Sequence, residues 1–261
     1  MSDTMLPDGT DALMAELSFS EVMRLIERTA KWVDPQTFNL LPVWYPEHAR
    51  RGLLYKSNWS EPLMNTNRQT GESVHKAEAN IYASKALCSA LGLGSNNRPK
   101  GWTCCHIWGV DDPSYQMANL TVQDPKFFSC VANMVLLPTP LKAFTDVVPE
   151  VKNMLRICAS NTYGWQCDHE QMADINKGLN AWTDWTHYPS SWPREPQSGG
   201  PMGVMPLTAK IEASAERRWE RIQSDMKNAG RHYPRESVQK VMDYWGLDLN
   251  SPLGKSNKAP L

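Results

Sequence analysis

Two segments in the middle of the chain decide the fold: GWTCCHIWGV at residues 101–110 and SCVANMVLLPTPLKAFTD at residues 129–146. The first is short, aromatic and β-rich, which is typical of a strand. The second extends a run, FFSCVANMVLLP, that ends at a proline as a second strand would. Pro140 then stands in the first turn of a helix, where its missing N–H does no harm. These segments predict the order strand, long loop, strand, helix.

Three polar side chains punctuate this ββα unit. His106 follows two cysteines at the edge of the first strand, Asn133 lies on the second strand, and Asp146 lies in the helix. A histidine with a near-neutral pKa takes a proton from water when its other ring nitrogen is held by an amide or a backbone carbonyl. A helix carboxylate binds Mg²⁺ through oxygen, and the metal neutralises charge at phosphorus. The pattern indicates phosphodiester hydrolysis.

This stretch resembles the HNH, or His-Me finger, nuclease motif, including the HNH-type bacterial restriction endonucleases. The resemblance implies that His106 is the general base and that Asn133 orients the loop that carries it. In that family the helix supplies metal ligands about 9 and 13 positions after the asparagine, which here are Lys142 and Asp146. The position before the histidine often carries another ligand, and here it is Cys105.

Two of these positions depart from the family pattern. Lys142 carries an ammonium group, which cannot bind a metal, so its expected role is a contact to phosphate. Cys105 would offer a thiolate, which binds Mg²⁺ poorly and zinc well. The implied cofactor is Mg²⁺ or Mn²⁺, with Asp146 and Cys105 as its ligand positions.

The cysteines allow two interpretations. They surround the motif in sequence and have one nearby histidine: Cys104, Cys105, Cys130, Cys158, Cys167 and His169. Together they could form a structural zinc site. No CxxC pair is present, however, and such pairs are the strong zinc signature, so buried thiols are the favoured interpretation.

Charge is balanced over the chain but uneven along it. There are 27 basic and 28 acidic residues, which excludes a binder driven by bulk positive charge. Residues 217–240 carry seven basic and three acidic side chains. The expected phosphate contacts are Arg217, Arg218 and Arg221, with a solvated helix face as the alternative.

A second stretch, residues 56–80, is polar and rich in amides. Such side chains are suited to base edges, and an ordinary surface loop is the alternative. The candidate DNA contacts here are Asn67, Arg68 and Lys76.

The remaining patterns predict helices around the ββα unit. Helical periodicity covers 19–32, with Ser18 and Glu21 in capping-box register, and further helices are expected near 73–91, 169–185, 207–229 and 235–245. The expected fold class is α+β, predominantly helical around a small ββα-metal unit. The expected regions are a helical N-terminal part with DNA contacts at 1–100, the nuclease core at 101–160 and a helical C-terminal part with a basic helix at 161–261.

The leading hypothesis is a metal-dependent DNA endonuclease of restriction or defence type. No apolar run approaches a membrane span, and the polar start MSDTMLPDGTD does not resemble a secretory signal, so a cytoplasmic protein is expected. Restriction enzymes of this class commonly act as homodimers, so a dimer is implied by resemblance. The alternatives are a non-catalytic, zinc-stabilised nucleic-acid-binding protein and a helical interaction module that uses its tryptophan-rich loops.

Overall fold

The computed structural model describes residues 8–96, 98–110 and 117–254. The helices are α1 (Gly9–Glu16), α2 (Phe19–Thr29), α3 (Pro35–Leu40), α4 (Ile81–Ala90), α5 (Pro125–Phe128), α6 (Lys142–Val147), α7 (Pro149–Tyr163), α8 (Ala173–Asn180), α9 (Ala209–Asn228) and α10 (Arg235–Tyr244). The strands are β1 (Trp32–Val33), β2 (Met64–Thr66), β3 (Ser73–His75), β4 (Trp102–His106), β5 (Met134–Pro138) and β6 (Val204–Met205).

The centre of the fold is the predicted strand, loop, strand and helix. Strands β4 and β5 pair antiparallel with Cys104 opposite Leu136 and His106 opposite Met134, and α6 follows β5. The second strand begins only at Met134, because residues 125–128 form α5 and Val131–Asn133 form a short 3₁₀ turn, so the prediction that Asn133 lies on this strand is wrong. Asp124 caps that helix by accepting a hydrogen bond from the N–H of Lys126, and Pro125 occupies its first turn.

Three short two-stranded sheets accompany many helices, so the chain is α+β with helix predominating. β4 pairs with β5, β2 pairs antiparallel with β3, and β1 pairs parallel with β6. Strand β5 is buried on both faces, in contact with β1, α2 and α4 as well as with β4. Its unbroken apolar run, with no polar alternation, follows from this double burial.

One hydrophobic core joins all three regions expected from sequence. Trp32 belongs to the first, Trp108 to the second, and Trp165 and Trp245 to the third, and all four are buried in the same cluster. The rings of Trp108 and Trp165 meet edge to face at 6.1 Å. The tryptophans therefore serve largely as packing between regions, in keeping with their large apolar area.

The predicted helices are confirmed at α2, α9 and α10 and are wrong at two places. The capping box of Ser18 and Glu21 begins α2 as expected. The helix expected near 73–91 begins only at Ile81, because residues 64–75 form the β2–β3 hairpin, whose turn closes with Gly71 at a φ of +73°. The helix expected near 169–185 shortens to α8.

Within the described residues, none of the helices combines the length and apolar character needed to cross a bilayer.

The loop between β4 and β5 is fastened by a single buried carboxamide. Asn133 is completely buried, its Oδ1 accepts a hydrogen bond from the N–H of Trp108 at 2.7 Å, and its Nδ2 donates to the carbonyl of Phe127 at 3.0 Å. The backbone carbonyl of Asn133 also accepts from the N–H of Ile107. Both ends of the loop are therefore tied to one residue.

We expect Asn133→Ala to lower the free energy of unfolding by about 2–4 kcal/mol, because two buried backbone groups lose their partners. Urea denaturation with matched m-values measures this cost. The control is Asn228→Ala at the exposed end of α9, which should change stability by less than about 0.5 kcal/mol. Equal effects of the two substitutions would contradict the clamp.

Candidate active site

His106 is held by a backbone carbonyl at the end of β4. Its Nε2 lies 2.9 Å from the carbonyl oxygen of Phe128, and its ring stacks on the phenyl ring of Phe128 at 5.8 Å. A carbonyl only accepts, so Nε2 carries the hydrogen and Nδ1 is left with its lone pair. As a whole residue, His106 is mostly buried but keeps some surface exposure.

The loop after His106 is pinned from a second direction by α7. The buried guanidinium of Arg156 donates from Nε to the carbonyl of Ile107 at 3.1 Å and from Nη2 to the carbonyl of Gly109 at 2.7 Å. Together with Asn133, this arginine fixes the backbone on the C-terminal side of His106. These buried hydrogen bonds therefore fix the position of the histidine.

Positive charge surrounds the histidine. Burial lowers the pKa of His106 to about 4, against the opposing hydrogen bond to Phe128, and the charges of Lys152, Arg50 and Lys142 lower it further. Lys152 is itself buried on α7, and burial followed by the charge of Arg156 lowers its pKa to about 7. Near neutral pH His106 is therefore unprotonated in a cationic environment, but its pKa lies below the near-neutral value expected from the sequence, which makes it a weaker base.

The two predicted metal ligands differ in how well they fit a divalent cation. The Cys105 thiol is buried beside Thr145, and burial raises its pKa, so it stays protonated and does not suit Mg²⁺. Asp146 has the right chemistry, but its carboxylate pairs with the ammonium of Lys142 one turn earlier on α6. Both of these side chains are about two-fifths exposed, at 40% and 44%. A lysine ammonium thus stands where a cation would bind Asp146.

The zinc interpretation finds no support in the cysteines. All six are free and buried, and burial raises the pKa of each thiol. In the parts of the chain that the structure describes, no three His, Cys, Asp or Glu side chains group as metal ligands would. His169 instead accepts a hydrogen bond at Nδ1 from the N–H of Gln171. The cysteines are buried thiols in the structure, as the favoured interpretation predicted.

The basic helix α9 offers two of its three predicted arginines to solvent. Arg217 is exposed and donates a hydrogen bond to Oγ of Ser214 on its own helix, and Arg221 is 57% exposed while it pairs with Asp225. Arg218 is different, because its guanidinium pairs with the buried Glu47 and is only 11% exposed. We therefore assign Arg218 to the fold rather than to a free phosphate-binding surface.

The other predicted DNA contacts lie on the β2–β3 hairpin. Every residue of its two strands is exposed, including Met64 at 51% and Val74 at 41%. Arg68 lies in the turn and Lys76 follows β3, both exposed, while Oδ1 of Asn67 accepts the N–H of Gln69 to close the turn. A two-stranded ribbon of this kind fits the major groove of DNA.

Some residues at the site were not predicted from the sequence. Arg50 and Lys152 approach His106 from distant parts of the chain, and neither belongs to the ββα motif. A second group, the cleft formed by Glu47, His48 and Trp59, lies in the proline-rich passage between α3 and β2. The one sequence signal for it was the density of aromatic residues there.

Comparison with known proteins identifies no relative: no family model matches the chain, and neither the curated proteins nor the solved structures include a significant match.

The histidine environment predicts a pH dependence of stability. An unfolded imidazole titrates near 6.5 and folded His106 near 4, so the unfolded state binds the extra proton between these values. The contribution of His106 to stability is complete above pH 6.5 and is lost as the pH falls toward 4. Chemical denaturation of His106→Gln across this range should show a flatter pH slope than the parent protein. His187→Gln, at an exposed site, is the control and should keep the parent slope.

Proposed function

We propose that this protein is an HNH-type endonuclease that hydrolyses phosphodiester bonds in DNA. One observation carries the proposal: His106 ends a strand of a ββα unit with Nε2 held by a loop carbonyl and Nδ1 unprotonated. The buried carboxamide of Asn133 ties that loop, as the resemblance requires. A restriction or defence role and a homodimer remain predictions from the same resemblance.

In the proposed reaction, Nδ1 of His106 takes a proton from water as the oxygen attacks phosphorus. The P–O bond to the leaving oxygen breaks, and that oxygen takes a proton. The positive charges of Lys142, Arg50 and Lys152 stabilise the negative charge that builds on the phosphoryl oxygens. The leaving oxygen takes its proton from solvent water.

Of the two predicted ligand positions, Asp146 is the one that suits a divalent cation. When bound, it would neutralise charge on the phosphate. A substrate phosphate would compete for the ammonium of Lys142 and so release the carboxylate of Asp146, since both side chains reach solvent. The residues of α6 would then serve both the phosphate and the cation.

We expect His106→Ala to reduce cleavage of plasmid DNA by at least about 100-fold, the usual contribution of a general base, while DNA binding persists. The measurement is single-turnover cleavage with Mg²⁺ or Mn²⁺, alongside an electrophoretic binding assay. The parent rate should stay high at pH 5.5, because the base titrates near 4 rather than 6.5. The exposed His187→Ala variant is the control, and full activity of His106→Ala would reject the role of His106.

Removal of exposed charge should weaken DNA binding and reduce its salt dependence. We expect the quadruple change of Arg68, Lys76, Arg217 and Arg221 to Gln to lower the slope of log Kd against log salt by about one for each lost phosphate contact. Fluorescence anisotropy over a salt series measures this slope. Lys177→Gln, on the exposed end of α8, should leave it unchanged. An unaltered slope in the quadruple variant would place the DNA surface elsewhere.

The metal assignment predicts opposite effects of two neighbouring substitutions. Asp146→Asn should weaken Mn²⁺ binding by about tenfold or more, because it removes a charged oxygen ligand, whereas Lys142→Gln should strengthen binding by removing the competing ammonium. Electron paramagnetic resonance of free Mn²⁺ follows binding without reference to activity. Identical titrations for the parent and both variants would exclude Asp146 as a ligand.

A further inference from the structure

A cleft of about 320 Å³ opens at the root of the β2–β3 hairpin and has no part in the chemistry of His106. Its walls come from the segments 45–48 and 55–59, from α4 and from α9. The volume lies at the small end of the range for ligand sites, roughly 300–1,000 Å³.

Aromatic rings form much of the cleft. His48 stacks on Tyr82 at 3.4 Å with an interplanar angle of 10°, and Trp59 lies 5.2 Å from His48. Tyr55 lies 5.1 Å from Trp59 and stacks on His232 on its other side. Flat faces of this kind accept a planar heterocycle at a gain of about 1–3 kcal/mol per stacked base.

The backbone of the cleft is strained at two residues and is supported there by a neighbouring glycine. Asn58 and Trp59 both have a positive φ, at 58° and 56°, which is a costly conformation for a bulky residue. Gly230 packs beneath them and donates its N–H to the carbonyl of Asn58 at 2.9 Å. A Cβ on Gly230 would lie 2.5 Å from that carbonyl oxygen, so only glycine allows this approach. Such strain concentrates at sites that bind ligands.

A buried carboxylate in the cleft keeps one oxygen without a partner. Oε1 of Glu47 pairs with Arg218, whereas Oε2 is buried and has no hydrogen-bond partner among the residues that the structure describes. Such an orphan oxygen is costly unless a donor satisfies it.

The charges of the cleft favour a neutral ligand. The carboxylates of Glu47 and Asp225 pair with the guanidinium groups of Arg218 and Arg221, and Lys56, which also lines the cleft, pairs with Glu61. His48 is neutral, because burial lowers its pKa to about 3. An anion would meet the free oxygen of Glu47, and a cation would meet two guanidinium groups. A neutral ring that carries N–H donors can bind the oxygen of Glu47 and carries no charge for the guanidinium groups to repel.

The cleft lies close to the two surfaces assigned to DNA. The N–H of Tyr45 donates to Oγ of Ser129 at 2.9 Å, and Ser129 follows Phe128, whose carbonyl holds His106. On the other side, the strained turn leads directly into β2 of the exposed hairpin. A nucleotide displaced from a duplex at the hairpin would have a pocket beside it.

We propose that this cleft binds a single guanine base turned out of the DNA duplex, which stacks on Tyr55 and Trp59 and donates its amino and ring N–H groups to Glu47. This inference rests on the proposed action on DNA. Guanine is the base whose pairing edge presents two adjacent donors, and the carboxylate of Glu47 has an oxygen free to accept from that edge. Extrusion of a base into a pocket is the general way in which proteins reach the pairing edge of a base in duplex DNA.

The test uses the full chain and free nucleosides, with no DNA. 2′-Deoxyguanosine is titrated to millimolar concentration, and the indole N–H signal of Trp59 is followed by NMR. We expect 2′-deoxyguanosine to shift that signal, 2′-deoxyinosine, which lacks the amino group, to bind about tenfold more weakly, and deoxyribose to have no effect. Glu47→Gln should remove the preference for the amino group.

A second variant keeps the test decisive if Glu47→Gln fails to fold. Tyr55→Leu should abolish binding by removing a stacking face, whereas Tyr244→Leu, a half-buried tyrosine on α10, should retain it. Absence of a Trp59 shift, or unchanged binding by Tyr55→Leu, would overturn the proposal and leave the cleft to ordered water. Cleavage of DNA without nucleoside binding would reject only this inference, whereas nucleoside binding without cleavage would reject only the nuclease.

Discussion

The site depends on one side chain that satisfies backbone groups at both ends of a long connection. Without the hydrogen bonds of Asn133 to Trp108 and Phe127, the loop between β4 and β5 would bury an unpaired donor and an unpaired acceptor. The carbonyl that holds His106 belongs to the residue directly after Phe127. The orientation of the imidazole is thus set by a carboxamide that touches neither the ring nor any substrate, and Arg156 reinforces it from α7.

Around His106 and in the cleft beside Glu47, burial has the same effect: it disfavours the charged form of each titratable group. At His106 and Lys152, desolvation disfavours the charged form, so that the histidine is a base and the lysine titrates close to neutrality. At Glu47, the same desolvation raises the pKa of the carboxyl, and the adjacent guanidinium of Arg218 opposes it. The surroundings of His106 are cationic, whereas the cleft beside Glu47 carries charges of both signs.

Local sequence rules predicted those helices and strands whose own residues mark their ends or their hydrophobic pattern. The capping residues of α2 and the periodicity of α9 and α10 sufficed, and the order of β4, β5 and α6 followed from apolar runs and Pro140. The hairpin was missed because β2 and β3 bury no face, so hydrophobic alternation is absent. The environment of His106 was only partly predictable, since Arg50 and Lys152 meet it through tertiary packing. Whether Arg218 is free to bind phosphate likewise depends on its ion pair with Glu47, which lies 171 positions away in the sequence.

The concealment of the cysteines has a practical meaning for the whole molecule. Every sulfhydryl lies inside the fold and favours its protonated form, so none is an easy target for alkylation or for oxidation. Reaction with a maleimide would have to wait for the chain to open, and labelling kinetics would therefore report on conformational opening without any engineered probe. The same shielding protects the thiols from oxidants for as long as the chain stays folded.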